Sequence, residues 1–270
     1  MQTHEIEETG LPEAPKASEP PIAPVWHTVV LLLGILSISI AGKLQLVGVQ
    51  HRPNRLLTYA TTAGMELLML GWVALGLRLR RVPFRSLLGK TARGLRGWAI
   101  DFGIAAAFWI GALMILGTAG ILWTSVETAI SLAHNRGGGH AAGPSQKNAE
   151  TLRTLEELAP ENGTEIAGWV LLCCFAGTIE ELVFRGYLQR QFTVWARGGA
   201  AWGVAFSAVM FGAAHGYQGA RNMVLLAVFG ALFSALAIMR RGLRAGIIAH
   251  SWHDLIAGLT LALLRSHRLL

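Results

Sequence analysis

Charge is what this sequence has least of. Only 14% of its 270 residues are Asp, Glu, Lys or Arg, while 53% are hydrophobic, against roughly 25% and 45–50% in an ordinary soluble domain. A soluble chain of this length needs charged side chains to cover its surface, and long stretches here carry none. The composition therefore argues against a soluble enzyme and for the bilayer as solvent. The same shortage excludes a disordered regulator or a coiled coil, and 32 glycines without a G-X-Y period exclude collagen. Cysteine is equally scarce. Cys173 and Cys174 are adjacent within an apolar run and offer neither a disulfide framework nor a CxxC metal knuckle. The chain has no GxSxG elbow, no glycine-rich phosphate loop and no internal repeat. A net charge of +7 and a pI near 10.1 do not point to nucleic acid, because the basic residues cluster beside apolar segments, where they set topology.

What is present is a series of long apolar runs. A spanning helix needs about 20 mostly apolar residues, and seven segments qualify: 26–49, 56–77, 98–123, 166–190, 200–217, 222–239 and 245–264. The expected fold is all-α, a polytopic membrane bundle of about seven transmembrane helices. Residues 1–25 are acidic and proline-rich and read as a disordered cytoplasmic tail. They contain no basic region of the kind that opens a signal peptide, so the first segment is expected to stay as a helix. Residues 26–123 form the N-terminal set of helices. Residues 124–165 read as a long loop with a glycine run at 137–139 and a short amphipathic helix around Leu152, Leu155 and Leu158. Asn162-Gly163-Thr164 matches a glycosylation sequon, a pattern common by chance. Residues 166–264 are the helices that carry the unusual polar groups. With the N-terminus cytoplasmic, inside loops hold fourteen Lys and Arg against nine outside, seven of the fourteen between Arg78 and Arg96. The expectation is an integral protein of the plasma (inner) membrane with its N-terminus inside.

The informative residues are the few ionisable groups inside these runs. A charge at the bilayer centre costs about 2.5–3.5 kcal/mol on insertion scales, so each is a functional-site hypothesis. The fourth segment reads Gly177-Thr-Ile-Glu180-Glu181-Leu-Val-Phe-Arg185-Gly186. Glu181 and Arg185 are four apart in the order that favours pairing, and read as a supporting ion pair. Glu180 is rotated about 100° from Glu181 and left free. The fifth segment ends Phe211-Gly-Ala-Ala-His215, and the seventh carries His250-Ser-Trp-His253-Asp254 with its three polar side chains on one helical face. At about 1.5 Å per residue, Glu180, His215, His250 and Asp254 all fall near mid-membrane. His253 shares the face of His250 without a motif of its own. Glu66, midway along the second segment, either pairs with a polar group of the core or lines a substrate path. Asp101, near a helix start, reads as a dipole partner, and Trp26, Trp98 and Trp123 as interfacial anchors.

This inventory suits hydrolysis. A carboxylate beside an imidazole can take a proton from water, and a second imidazole can donate to the oxyanion of an attacked carbonyl. The same groups, Glu180, His215 and His250, could instead hold Zn²⁺ with one open position. Water activated by Glu180 is the simpler reading, and spacing alone does not separate it from a zinc-assisted site.

Glu180-Glu181-xxx-Arg185, Phe211-xxx-His215 and His250-xxx-Asp254, in that order on successive apolar helices, resemble the CPBP intramembrane peptidases, which include the type II CAAX prenyl endopeptidases and bacteriocin-processing relatives. The resemblance covers about residues 166–260. It implies a membrane endopeptidase in which Glu180 and His215 activate water and His250 stabilises the oxyanion, with a membrane-associated protein or peptide as substrate and the lipid bilayer as its surroundings. Asp254 departs from the CAAX pattern, where this position is Asn. An ionised Asp cannot donate to an oxyanion, so Asp254 must be protonated, orient His250 or ligate a metal. Two alternatives accompany this reading. One is a transporter or proton relay built on the same buried groups, and the other is a catalytically silent scaffold or immunity relative.

Overall fold

A computed structural model of the chain describes residues 20–46, 54–90, 94–136 and 156–267. Its main helices are α1 (Val25–Leu46), α2 (Arg55–Leu79), α3 (Gly94–Arg136), α4 (Gly163–Trp195), α5 (Ala200–Ala214), α6 (Ala220–Arg240) and α7 (Arg244–Ser266). A short 3₁₀ turn, Phe84–Leu88, follows α2, and residues 156–158 are helical ahead of α4. No strand occurs among the described residues. The architecture is a polytopic helical bundle. Six helices are long and apolar enough to cross a membrane by length and composition. The fifth expected segment is the short one: α5 has fifteen residues, about 22 Å of helix, because it stops at the His215-Gly216 turn.

The distribution of side chains inverts that of a soluble protein. Leu68, Met114, Leu171 and Met239 project outward, whereas Glu66, Glu181, Arg185, Gln191 and His250 are buried. Lipid solvates apolar surface at no cost, so helix association must come from close packing and polar contacts. Glycines supply the packing at two crossings that matter for the site. A Cβ on Gly177 of α4 would lie 2.8 Å from the backbone nitrogen of Ser251 on α7, and one on Gly212 of α5 would lie 2.3 Å from the Met223 carbonyl oxygen on α6.

Three boundaries differ from the sequence expectation. The third helix begins at Gly94 and runs 43 residues to Arg136, about 65 Å, roughly twice the hydrocarbon thickness. Residues 124–136 contain no glycine or proline, so the helix continues through the first part of the expected 124–165 loop. There the Thr124, Ser125 and Thr128 hydroxyls donate to carbonyls one turn back. Leu152 and Leu155 lie outside the described residues. The early start of α3 also places Asp101 two turns inside the helix, beyond the reach of its dipole. Asp101 is instead buried between Arg240, at 2.9 Å, and Arg244, whose guanidinium also lies 4.3 Å from the Trp98 ring.

Residues 20–24, expected in the disordered tail, are docked on α4, while residues 1–19 lie outside the described part. The Ile22 N–H donates to Gln191 Oε1 at 3.1 Å, and Gln191 Nε2 donates to the Ala23 carbonyl at 2.7 Å. The Tyr187 hydroxyl continues this network to His27 Nδ1 (3.0 Å) and Thr28 Oγ1 (2.8 Å), and His27 Nε2 donates to the Trp72 carbonyl at 2.8 Å. The asparagine of the sequon is a helix cap: Asn162 Oδ1 accepts from the Glu165 N–H at 3.0 Å.

The α4–α7 approach sets the first prediction. Gly177→Ala forces backbone apart where no flexible tip can yield, and is expected to cost about 1–3 kcal/mol, read as a lower melting temperature in detergent. Gly34→Ala, whose Cβ would meet nothing within 4 Å, is the control and should leave it unchanged.

Candidate active site

The site is built where α4 changes its winding. The helix is α-helical over Gly163–Glu180, π-helical over Glu181–Leu188 and α-helical again over Gln189–Trp195. All eight π-helical residues are buried. Such wide turns occur mostly as local features at functional sites, and this one begins between Glu180 and Glu181.

Glu181 is the node. Its Oε1 lies 2.9 Å from Arg185 Nη1 and 3.0 Å from His250 Nδ1. Side-chain exposure is 1% for Glu181 and 0% for Arg185. Arg185 Nη2 donates to the Gly230 carbonyl at 3.3 Å, and the guanidinium sits 4.3 Å from the centre of the Phe211 ring. The expected pair is therefore present, and Glu181 has a second task that spacing did not suggest: it accepts the Nδ1 proton of His250 and fixes that ring. Phe211, Phe229 and Phe233 surround the imidazole with ring centres at 5.8, 6.0 and 5.2 Å.

The opposite nitrogen of His250 faces two carboxylates. Nε2 is 3.7 Å from Glu180 Oε2 and 3.8 Å from Asp254 Oδ2. Both gaps are too long for direct hydrogen bonds, yet one water with legs of about 2.8 Å spans either. Asp254 is thus not hydrogen-bonded to His250, and the orienting role belongs to Glu181. His215 closes α5. Its Nδ1 lies 2.9 Å from the Phe211 carbonyl. A carbonyl only accepts, so Nδ1 carries the proton and a neutral His215 presents an unprotonated Nε2. His215 stacks obliquely on Phe211 at 4.9 Å, the ring it shares with His250, and interacts electrostatically with Asp254.

Glu66 joins the group from α2. It is 9% exposed, and its carboxyl is a close neighbour of Glu180 and interacts electrostatically with Glu180 and Asp254. His253 does not join: it packs on Phe229 at 4.6 Å. Tyr217 is a neighbour that periodicity misses, because it sits in the short Gly216–Gln218 turn where no helical face can be read. Its hydroxyl accepts from Gln218 Nε2 at 3.0 Å, and it interacts electrostatically with Glu180, Asp254 and Glu66.

Among the described residues no group of three or more His, Cys, Asp or Glu side chains is arranged to hold a metal ion. His250 and His215 each commit Nδ1, to Glu181 and to the Phe211 carbonyl, and each leaves Nε2 as the ring nitrogen available to the site.

A buried cluster of carboxylates and imidazoles thus stands at the centre of a polytopic helical bundle whose long apolar helices suit a membrane. Residues 162–256 match the family model described as Type II CAAX prenyl endopeptidase Rce1-like, the segment that carries the ordered motifs on α4, α5 and α7. No curated protein and no solved structure matches the chain.

Removal of Arg185 leaves Glu181 charged in a dry interior with His250 as its remaining partner. Arg185→Ala is expected to lose about 3–5 kcal/mol, measured by thermal unfolding in detergent, whereas Glu180→Gln, which removes no ion pair closer than 3.7 Å, should unfold near the wild-type temperature.

Proposed function

We propose that the protein is an intramembrane endopeptidase that hydrolyses a peptide bond of a membrane-associated protein or peptide with water activated by Glu180 and His215. The observation that carries this reading is His250, held through Nδ1 by Glu181 while Nε2 points at the space between Glu180 and Asp254. A substrate carbonyl placed against Nε2 lies beside the free carboxylate of Glu180. Glu180 takes a proton from water as its oxygen attacks the carbonyl carbon, and the unprotonated Nε2 of His215 is the second acceptor at the same site. The tetrahedral intermediate carries its negative charge on the former carbonyl oxygen, and a proton on His250 Nε2 donates to it. The carboxylate of Glu181 behind the ring stabilises the imidazolium in that role. The proton held by Glu180 then passes to the departing amine, the C–N bond breaks, and a carboxylic acid and a free amine leave. Asp254, within 3.8 Å of Nε2, helps to hold the attacking water. No step is routed through a metal.

The substrate approaches through lipid, which suits a chain whose exterior is apolar along its long helices. The N-terminus is assigned to the cytoplasm and the protein to the plasma membrane, on the bias of Lys and Arg towards the Arg78–Arg96 loop.

The test is proteolysis of a membrane-tethered peptide library by purified protein in detergent or liposomes. Glu180→Gln, His215→Ala and His250→Ala are each expected to lower kcat by about 10²–10⁴-fold, the range of a lost general acid or base, with melting temperature retained for Glu180→Gln. Wild-type cleavage by Glu180→Gln would sink the mechanism, and proton flux in liposomes without cleavage would favour a relay.

A further inference from the structure

Glu66 is a carboxyl that the chemistry above does not use. It stands midway along α2, far from the chain segment that carries the motifs, and is 91% buried by its 9% exposure. Its Oε2 has no hydrogen-bond partner and is shielded from solvent. The neighbours it meets across the bundle are Glu180 of α4, in side-chain contact, and Asp254 of α7, at longer range. The cations nearest the cluster are committed elsewhere: Arg185 to Glu181 and the Gly230 carbonyl, and His250 Nδ1 to Glu181. His215 and Tyr217 face the same space from the turn after α5, and His253 is turned to Phe229.

Two carboxyl groups in contact in a low-dielectric interior cannot both be ionised. They persist side by side when they share one proton, one group donating its O–H to the other. Glu180 must be the acceptor if it is to take a proton from water, so the shared proton sits on Glu66. Glu180 Oε2 accepts no hydrogen bond from the protein and lies towards His250, which leaves that oxygen for the attacking water.

We propose that Glu66 is a positioning residue that donates a hydrogen bond from its protonated carboxyl to Glu180 and so aims the Glu180 oxygen at the reacting water. The proposal rests on the endopeptidase reading and adds a residue from a helix outside the matched segment. Its chemical signature is that the donor, not the acidity of Glu66, is what the site requires. An amide can replace the carboxyl, since the Gln N–H donates where the Glu O–H did.

The experiment compares Glu66→Gln, Glu66→Leu and Glu180→Gln in the cleavage assay, with melting temperature and infrared spectra of each purified protein. Glu66→Gln is expected to keep kcat within about threefold of wild type. Glu66→Leu is expected to lower kcat by about 10²-fold, the scale at which misplacement of a reacting group acts, with KM little changed. The wild-type spectrum should contain the C=O stretch of a protonated carboxyl that Glu66→Gln removes, a readout that needs neither activity nor a well-folded Leu variant. Wild-type kcat in Glu66→Leu, loss of activity in Glu66→Gln equal to that in Glu66→Leu, or absence of the protonated-carboxyl band overturns the proposal. Activity retained by Glu180→Gln overturns the endopeptidase mechanism itself, and so separates that failure from a failure confined to Glu66.

Discussion

The structure depends on one constraint: a charge held in a membrane-embedded bundle must meet its counter-charge at hydrogen-bonding distance. Glu181 satisfies it twice with a single oxygen, towards Arg185 on its own helix and His250 on α7. The π-helical turn supplies the geometry, the Gly177–Ser251 approach brings the two helices close enough, and the Phe211, Phe229 and Phe233 rings keep the pair dry. An ion pair of this kind is weak evidence for net stability, because desolvation offsets its Coulomb energy. Its value here is placement. It leaves the neighbouring Glu180 and the far side of His250 with nothing to do but face each other.

The bundle was legible because its signal is long: six of the seven apolar runs reappear as helices of spanning length, and the seventh as α5. The site was legible in part for the same reason. Glu180, Glu181, Arg185, His215, His250 and Asp254 stand on helices whose registers can be counted, and an ionisable residue in an apolar run attracts notice by its cost. What could not be read were contacts between elements remote in sequence. Nothing in the spacing of Glu66 says that α2 packs its midpoint against Glu180, and nothing near Asp101 predicts Arg240 and Arg244, some 140 residues away in the chain. Local boundaries failed where the sequence was permissive: residues 124–136 lack a breaker, and the hydroxyls of Thr124, Ser125 and Thr128 are satisfied by helix carbonyls one turn back. Gln191 accounts for the docking of residues 20–24, and a lone glutamine gives no warning of that.

The balance of charge inside the bundle separates structural ionic groups from reactive ones. At its two ends, carboxylates are matched by arginines. Asp101 meets Arg240 and Arg244, while Arg55 lies 2.8 Å from Glu161 and 3.6 Å from Glu165, and Arg265 lies 3.2 Å from Glu161. The pairs made by Glu161 are partly solvated and contribute little energy but fix which ends meet, while the Asp101 carboxylate is buried between its two arginines. The centre is different. Glu66, Glu180, Glu181 and Asp254 share one arginine and one buried imidazole, with His215 at the margin. Four carboxyls against those cations leave more acid than base in a dry site. That excess of acid over base, with Arg185 committed to Glu181, separates the centre of the bundle from its two ends and is the setting that the proposed activation of water requires.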